Sequence, residues 1–305
     1  MSDAIEVGGR TIPISHADRP VFPDDGLTKM DLARHYADVA EVMVPHVRGR
    51  PLALQSFPHG IAEPGFFMKE VPRHFPDWIA TADVPKREGG TVRHALADDA
   101  ATLVYLAGQN VVTPHVWTSR ADRLERPDRL VFDLDPTTRR FDEVRDAARL
   151  LRGLLDAIGL EGFAMTTGSR GLHVTVPLRR TADFAEVREF AGEVAAALAA
   201  GDPDRLTTEF HREKRGERIF IDVNRTAYGQ HAVAPYAVRP LPTAPVATPL
   251  RWEEVDDPSL DPRGWTIRTI GARLADGGDP WRDIARHARA IGPARRKLGR
   301  LTSRN

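Results

Sequence analysis

Hydrophobic positions recur along the chain with two periods, that of an α-helix and that of a β-strand. Apolar residues at helical spacing predict one helix from Phe141 to Ile158, where Gly159 follows as a stop, and another from Asp183 to Ala200. Thr28 and Asp31 have the spacing of a capping box at a helix start. The helix that begins there is predicted to run to about residue 45.

Short apolar runs bounded by glycine, proline or aspartate predict strands. They lie at residues 4–14 (two strands about Gly8-Gly9), 50–58, 91–94, 110–118, 130–135, 163–167, 172–176 and 219–223. Residues 235–250 are proline-rich and are predicted to be irregular, and the basic tail 293–305 is predicted to be a frayed end or a linker remnant. Because no internal repeat or linker interrupts this order, we expect one domain over residues 1–292, with halves at about 1–125 and 126–292.

The amino-acid composition excludes several classes of site but does not otherwise change the predicted fold. The 305 residues are 41% hydrophobic and 28% charged, as in an ordinary soluble protein. The absence of cysteine excludes disulfides, thiolate metal sites and cysteine nucleophiles, and it fits a reducing cytoplasm. We find no signal-peptide pattern and no apolar run of membrane-spanning length, so we expect no membrane partner. The net charge of zero counts weakly against a nucleic-acid enzyme, although local patches set the binding field.

Two aspartates end the strand predicted at 130–135. On an extended strand the side chains of Asp133 and Asp135 lie on one face and that of Leu134 on the other. Carboxylates this close repel each other, and a shared magnesium or manganese ion is the usual remedy. An isolated Asp-X-Asp is more often a turn or a solvated loop. The apolar strand before it and Pro136 after it favour a metal site at the strand end.

A glycine-bearing turn joins the next two predicted strands. It reads Thr167-Gly168-Ser169-Arg170-Gly171 and is followed by Leu172-His173. Glycine lets the backbone approach a phosphate, whose oxygens accept hydrogen bonds from hydroxyl, guanidinium and imidazole groups. Taken alone, the pattern favours an ordinary β-turn with a hydrogen-bonded histidine.

Asp222 ends another apolar strand, and taken alone it would be a cap or turn residue. Together with Asp133 and Asp135 on adjacent strands, it would complete a site that can hold two divalent ions about 4 Å apart. A phosphate-binding turn beside such a site supplies what in-line nucleotidyl transfer needs. One ion lowers the pKa of a primer 3′-hydroxyl, and the other holds the triphosphate.

Two adjacent phenylalanines, Phe66 and Phe67, follow Gly65. Neighbouring residues of an extended chain face opposite ways, so both rings cannot easily enter one core. Two interpretations stay open: either one ring is in the core and the other is partly covered, or the pair is a stacking platform for nucleic-acid bases.

Three segments resemble, in order and context, the three motifs of the archaeo-eukaryotic primase superfamily, and more closely those of bacterial ligase D polymerase domains or stand-alone relatives. They are Phe132-Asp133-Leu134-Asp135-Pro136, the hairpin Ser169-X-Gly171-X-His173, and Phe220-Ile221-Asp222. The resemblance runs from about His16 to about Ile291 and includes Arg48-Gly49-Arg50-Pro51, Gly65-Phe66-Phe67-X-Lys69, Thr113-Pro114-His115-Val116-Trp117 and Ala234-Pro235-Tyr236-X-X-Arg239. It implies an α+β fold with two interlocked α/β halves around central mixed or antiparallel sheets, the catalytic half resembling an RNA-recognition-motif sheet.

The resemblance also implies roles for individual residues. Asp133, Asp135 and Asp222 match the catalytic, metal-binding carboxylates. The residues that match the nucleotide site are His115, Thr167, Ser169, Arg170, Gly171, His173, Arg215 and Arg239. Those that match DNA contacts are Arg19 and Lys29, near a downstream 5′-phosphate, Phe66 and Phe67, near template bases, and Lys69.

Activity, cofactors and partners are implied in the same way. Family members use two divalent metal ions, with Mn²⁺ preferred and Mg²⁺ as the alternative. They prefer ribonucleoside triphosphates and fill gaps or extend aligned ends in non-homologous end joining. The expected partners are gapped or broken duplex DNA with its template strand and 5′-phosphate, NTP or dNTP, and end-joining proteins such as Ku or a ligase. We expect a monomer in the cytoplasm, associated with the bacterial nucleoid.

Two positions depart from the family pattern. Gln55 stands where a lysine is common near the template or the 5′-phosphate, and Arg19 replaces a lysine while keeping its charge. Three other functions stay open: a primase that starts chains de novo, a glycosyltransferase that uses Asp-X-Asp and manganese, and a non-catalytic nucleic-acid-binding module. Since we find no ligase or nuclease segment, we expect either an excised domain or a free-standing polymerase.

Overall fold

The computed structural model describes residues 3–138 and 140–303. Its strands are β1 (Ala4–Val7), β2 (Arg10–Pro13), β3 (Pro20–Phe22), β4 (Leu27–Thr28), β5 (Leu52–Ser56), β6 (Phe66–Met68), β7 (Thr81–Pro85), β8 (Thr91–Ala95), β9 (Val111–Val116), β10 (Arg129–Asp135), β11 (Phe163–Thr166), β12 (Leu172–Pro177), β13 (Leu206–Thr207), β14 (Ile219–Asp222), β15 (Ala232–Val233) and β16 (Thr248–Pro249). Its α-helices are α1 (Lys29–Asp38), α2 (Ala40–Val47), α3 (Ala100–Gly108), α4 (Phe141–Ile158), α5 (Phe184–Gly201), α6 (Trp252–Asp256), α7 (Ile270–Gly277) and α8 (Ile291–Thr302). Short 3-10 helices lie at Pro23–Asp25, Ala121–Arg123, Arg212–Lys214, Asn224–Thr226 and Ile284–His287.

The chain forms two compact units, and each is assembled from three segments. Unit 1 comprises the chain up to Asp122, His231–Thr248 and Trp265–Asp279; unit 2 comprises Arg123–Gln230, Pro249–Gly264 and the chain from Pro280 onward. The expected halves differ from these units, because two late segments pack with the N-terminal residues. Within unit 1, for example, the buried Tyr36 hydroxyl donates to the carbonyl of Val112 at 2.6 Å and accepts from the amide of Val238 at 3.2 Å.

Unit 2 is built on a sheet of order β13-β14-β10-β12-β11-β16. β10 lies in its interior and pairs antiparallel with both β12 and β14. The side chains of Phe132 and Leu134 are fully buried, and α4 and α5 pack on β10 and on each other. Because side chains alternate along a strand, Asp133 and Asp135 point to the face opposite these apolar residues. The α+β arrangement predicted for the catalytic half is confirmed by this sheet and its helices.

The helices of unit 2 begin and end at local sequence signals. Gly159 ends α4 with a left-handed φ of 82°, a conformation that costs glycine little. Asp183 accepts a hydrogen bond from the amide of Glu186 and closes a capping box at the start of α5. Both ends agree with the predicted helices, because capping depends on residues that are close in sequence.

The basic tail differs from its prediction. Ile291–Thr302 form α8, which buries Ile291, Ala294 and Leu298 and contacts α4 and α5. Arg295 of α8 forms an ion pair with Glu189 of α5 at 2.8 Å. The prediction of a frayed end is therefore wrong for this stretch, because its charges conceal an amphipathic helix. Residues 304 and 305 of the predicted tail lie outside the described residues.

Unit 1 contains a sheet of order β15-β9-β5-β6, in which β6 is an edge strand. Thr28 caps α1 in the predicted capping box with Asp31. The predicted helix is interrupted at Val39, where α1 gives way to α2, and α2 continues through Pro45 to Val47. The predicted hairpin about Gly8 and Gly9 is present as β1 and β2. Among the described residues no helix is both long and apolar enough to cross a membrane.

Candidate active site

The predicted carboxylates meet on one face of the unit 2 sheet. Asp133 of β10 is the cross-strand partner of Asp222 on β14 and of His173 on β12. Directly opposed residues on neighbouring strands point to the same side of a sheet, and Asp135 shares that side through alternation. The side chains of Asp133 and Asp222 are each 14% exposed, whereas that of Asp135 is 39% exposed. The three aspartates therefore form one acidic surface, most buried at its centre.

Asp133 is the best neutralised of the three. One of its carboxylate oxygens lies 3.6 Å from Nε2 of His173, and the other accepts a hydrogen bond from Nε of Arg225 at 3.2 Å. Burial acts to raise the pKa of Asp133, but His173 and Arg225 outweigh it and hold that pKa at about 2. The Asp133 carboxylate is thus ionised across the physiological range.

Asp135 is in a different electrostatic environment. Burial, and after it the charge of Asp133, raise its pKa above the usual value, against the opposing effect of nearby arginines. Arg170 lies 3.7 Å from one of its oxygens and Arg215 lies 4.0 Å from the other, so neither pair is close. A further cation near Asp135 would therefore be favoured.

Asp222 is fixed by the residues that follow it. One of its oxygens accepts hydrogen bonds from the backbone amide of Asn224 at 2.8 Å and from the Asn224 side chain at 2.7 Å. Its other oxygen lies 3.9 Å from Nε of Arg225. The Asp222 carboxylate is thus oriented from its own side of the sheet.

The turn from Thr167 to Gly171 lies against the end of β10. The Thr167 hydroxyl donates to the carbonyl of Gly171 at 3.2 Å, which closes the turn. A Cβ atom added at Gly171 would lie 2.3 Å from the carbonyl oxygen of Leu134, so only glycine allows this approach. Arg263 donates to the carbonyl of Ser169 at 2.9 Å. The turn is therefore held against the catalytic strand from both sides.

A cavity of about 870 Å³ opens beside this turn within unit 2. Ser169 and Arg170 line it, and so do Arg212 and Arg263. Three guanidinium groups and three hydroxyls, those of Ser169, Thr137 and Thr138, suit a polyphosphate, whose oxygens accept charge-assisted hydrogen bonds; one carboxylate, that of Asp261, also lines the cavity. The cavity therefore gives the predicted triphosphate-binding hairpin a volume in which a nucleotide can bind.

Arg215, predicted to bind the nucleotide, is almost fully buried. Its guanidinium donates to the carbonyls of Glu209 at 2.9 Å and Phe210 at 2.6 Å, and it lies 3.8 Å from the ring centre of Phe220. These contacts fix its head near Asp135. The structure places Arg215 4.0 Å from Asp135, and its contact with a nucleotide stays a prediction.

The three carboxylates are suitable ligands for a divalent metal, but their side chains do not converge on one point. Carboxylate oxygens are the ligands that Mg²⁺ and Mn²⁺ prefer, and three of them share this face. Over residues 3–138 and 140–303, however, no three histidine, aspartate or glutamate side chains converge as metal ligands do. Between two of the carboxylates lies Arg225, which pairs with Asp133 and approaches Asp222.

The predicted aromatic pair lies on the edge strand β6 of unit 1. Phe66 is 51% exposed and Phe67 is 49% exposed, so neither ring is in the core. Phe67 packs against His115 and His231, with ring centres 5.2 and 5.5 Å apart. The interpretation that one ring belongs to the core is wrong, and the exposed pair agrees with a stacking surface.

The other predicted residues of unit 1 differ in exposure. Lys69 is exposed, whereas His115 and Arg239 are half-buried. Arg19 donates to the side chain of Asn110. Lys29 is buried, and its ammonium group donates to the carbonyl of Gly108 at 3.1 Å. Burial and the neighbouring charge of Arg19 lower the pKa of Lys29 to about 8. The sequence alone does not predict that Lys29 is buried.

Sequence reasoning missed five residues at these surfaces: Arg212, Arg225, Asn224, Arg263 and His231. Arg225 and Asn224 follow Asp222 within three positions, so the signal for them was their spacing after a predicted metal ligand. Arg263 and His231 carry no local signal, because folding alone brings them to the turn and to Phe67.

Comparisons with known proteins agree with this site. A family model described as the LigD primase-polymerase domain matches residues 28–281. The multifunctional non-homologous end joining DNA repair protein LigD of Mycobacterium tuberculosis (strain H37Rv) is 33% identical over 277 residues, which cover 88% of this chain and 36% of that protein. The multifunctional non-homologous end joining protein LigD of Pseudomonas aeruginosa is 34% identical over 294 residues, 95% of this chain and 35% of that protein. This chain thus spans about a third of the length of these relatives.

A solved structure matches the fold as a whole. The polymerase domain of Mycobacterium tuberculosis ligase D, in complex with DNA, superposes with a TM-score of 0.85 at 32% sequence identity. The match covers 91% of this chain and 99% of that domain, and it confirms the expected archaeo-eukaryotic primase fold. The glycosyltransferase and non-catalytic alternatives find no support in these matches. The chain belongs to the LigD primase-polymerase domain family, a family of metal-dependent polymerases of the nucleotidyltransferase type.

Proposed function

We propose that this protein adds nucleotides, with a preference for ribonucleotides, to a primer 3′-hydroxyl at template-bearing gaps or broken ends in end joining or repair. The observation that carries the proposal is the cross-strand pairing of Asp133 with Asp222, with Asp135 on the same face. Nucleotidyl transfer develops negative charge on phosphate oxygens, and aligned carboxylates are the groups that place cations at that charge.

Asp133, Asp135 and Asp222 would hold two divalent ions, with Mn²⁺ as the preferred ion and Mg²⁺ as the alternative. When bound, the ions would activate the 3′-hydroxyl and stabilise the charge on the triphosphate. Other residues of the chain orient the carboxylates and keep them ionised. Asn224 orients the Asp222 carboxylate, and His173 keeps the Asp133 carboxylate ionised.

We propose nucleotide contacts in unit 2 and, separately, in unit 1. In unit 2, Ser169 and Arg170 line the cavity and would contact the triphosphate, together with Arg212 and Arg263. The other residues assigned to the nucleotide are Thr167, Gly171, His173 and Arg215 in unit 2 and His115 and Arg239 in unit 1. Thr167 and Gly171 would act through the shape of the turn, since their polar atoms close it.

We propose that the DNA contacts lie on unit 1. Phe66 and Phe67 would stack on template bases, with Lys69 beside them on an exposed position. Arg19 and Lys29 would face a downstream 5′-phosphate, although Lys29 would first have to leave its buried contacts. End-joining proteins such as Ku or a ligase, a monomeric state and a place at the bacterial nucleoid complete the proposal.

Primer extension on a gapped duplex tests this function. The assay compares a 5′-phosphate with a 5′-hydroxyl at the gap, NTP with dNTP, and Mn²⁺ with Mg²⁺. Extension that requires a template and is faster with NTP and Mn²⁺ supports the proposal. No extension under any of these conditions contradicts it. An unprimed template in the same assay tests de novo initiation, the primase alternative within this family.

A further inference from the structure

Arg225 occupies the space between two carboxylates that we assign to metal binding. Its Nε lies 3.2 Å from an oxygen of Asp133 and 3.9 Å from an oxygen of Asp222. These two aspartates are directly opposed on neighbouring strands, an arrangement in which like charges destabilise a sheet. The guanidinium thus takes the position in which a bridging cation would relieve the same repulsion.

The backbone of Arg225 is held on both sides, whereas its side chain is not enclosed. Asn224 before it hydrogen-bonds to Asp222, and the hydroxyl of Thr226 after it accepts a hydrogen bond from the amide of Val131 at 3.1 Å. The Arg225 side chain remains 41% exposed. Arg225 is therefore anchored beside the carboxylates, yet its head group can swing into solvent without disturbing the sheet.

The surrounding charges make Arg225 a neutralising group of the metal-free protein. Around Asp133 the other basic neighbour is His173, at 3.6 Å. Arg170 and Arg215 face Asp135 instead, at 3.7 and 4.0 Å. Within the described parts of the chain, Arg225 is the ion-pair partner that Asp133 and Asp222 share.

We propose that Arg225 is an internal counter-ion that occupies the Asp133–Asp222 pair in the metal-free protein and is displaced when a divalent metal binds. This inference rests on the proposed function, because it assumes that these two aspartates are metal ligands. Arg225 and the metal compete for the same oxygens, so each lowers the occupancy of the other. Before a metal binds, Arg225 neutralises the charges of Asp133 and Asp222. Only ions that bind these carboxylates more strongly than the guanidinium does can then occupy the site.

Two variants of Arg225 test the exchange. Arg225→Gln removes the charge, and Arg225→Lys keeps it but loses the planar head group. Arg149→Gln is the matched control, because Arg149 is also partly exposed in unit 2 and also pairs with two aspartates, Asp146 and Asp256. Calorimetric titration with MnCl₂ gives the metal dissociation constant, and thermal melting with and without MnCl₂ gives the stability of each state.

We expect Arg225→Gln to melt at a lower temperature than the parent without metal and to bind Mn²⁺ on the order of tenfold more tightly. Arg225→Lys should fall between the two proteins, and it keeps the test usable if Arg225→Gln does not fold. Arg149→Gln should keep the parental dissociation constant. An unchanged or weaker affinity for Mn²⁺ in both Arg225 variants would overturn the proposal.

Failure of the underlying metal site is distinguishable from failure of the exchange. If the parent and Asp222→Asn bind Mn²⁺ equally, the assigned metal site is wrong and the proposal falls with it. If Asp222→Asn loses Mn²⁺ binding while the Arg225 variants match the parent, the metal site stands and the exchange alone is rejected.

Discussion

Two strands that bear predicted site residues, β10 and β6, differ in their position within the sheet and in the exposure of their side chains. β10 lies in the interior of its sheet, pairs on both sides, and bears Asp133, which pairs with His173 and Arg225, and Asp135, whose pKa is raised by burial and by the charge of Asp133. β6 is the edge of its sheet and bears Phe66 and Phe67, both about half exposed.

The difference follows from what each ligand would require. Carboxylates for a metal must be fixed to within fractions of an ångström, and two flanking strands provide that rigidity. A stacking surface must be open to a long, flexible partner, and every base offers a similar face. We therefore expect changes on β10 to affect rate, and changes on β6 to affect DNA affinity.

The largest effect is expected from the carboxylates. Asp133→Ala or Asp222→Ala should lower the extension rate by roughly a thousandfold or more, because the metal ions lose a ligand. DNA affinity should stay near the parental value. Single-turnover primer extension, together with a binding titration, measures both. Asp156→Ala, at an exposed position of α4, is the control, and parental rates in Asp133→Ala would refute the site assignment.

Gly171→Ala tests the rigidity of the β10 surface. The added Cβ would lie 2.3 Å from the carbonyl oxygen of Leu134, so the turn and the strand must move apart. We expect the free energy of unfolding to fall by about 2–3 kcal/mol. Gly153→Ala is the control, because it lies within α4 with no atom in reach and should stabilise the protein by about 0.5–1 kcal/mol. Urea denaturation of both variants is the measurement; equal stabilities would contradict the argument.

Acid should affect the two units at different pH values. In unit 1, burial lowers the pKa of His35 to about 4, from 6.5. As the pH falls, His35 is therefore protonated in the unfolded chain before it is protonated in the folded protein. The contribution of neutral His35 to the free energy of unfolding is full above pH 6.5 and is lost as the pH falls towards 4. The expected loss is on the order of 3 kcal/mol. In unit 2, the contribution of Asp133 is full above its usual pKa and is lost only as the pH falls through about 2.

His35→Gln isolates this effect, since an amide can still donate to the carbonyl of Tyr236 as the ring does. Urea denaturation between pH 7 and pH 4 should show a shallower loss of stability in the variant. Some loss should remain, because the pKa of buried His94 is also lowered. The same slope in parent and variant would show that His35 does not carry the effect.

The smallest effect is expected on β6. Phe66→Ala and Phe67→Ala should each weaken binding to a gapped duplex about tenfold, because each removes one stacking face. Stability should change little for Phe66→Ala and more for Phe67→Ala, whose ring packs on His115 and His231. Fluorescence anisotropy measures the affinity, and Leu150→Ala on α4 is an exposed apolar control. If both variants bind the gapped duplex with the parental affinity, the proposed stacking role is wrong.

Local features were the ones that could be predicted from the sequence. The capping box at Thr28, the helix start at Asp183 and the helix end at Gly159 depend on neighbours within a few residues. The face shared by Asp133 and Asp135 follows from strand alternation alone. The helix α8 was missed because its apolar positions are few among many arginines, and β7 was missed because its short run is mostly exposed.

The sequence by itself determined which residues end strands and which side chains alternate, because periodicity and capping act over short distances. The resemblance of its motifs, and not their periodicity, indicated the family. Tertiary structure alone decided that Asp222 lies opposite Asp133, that Arg225 lies between them, and that Lys29 is buried. Each of these depends on strand pairing or packing between distant segments. Their register is set by the whole core rather than by any one stretch of the chain.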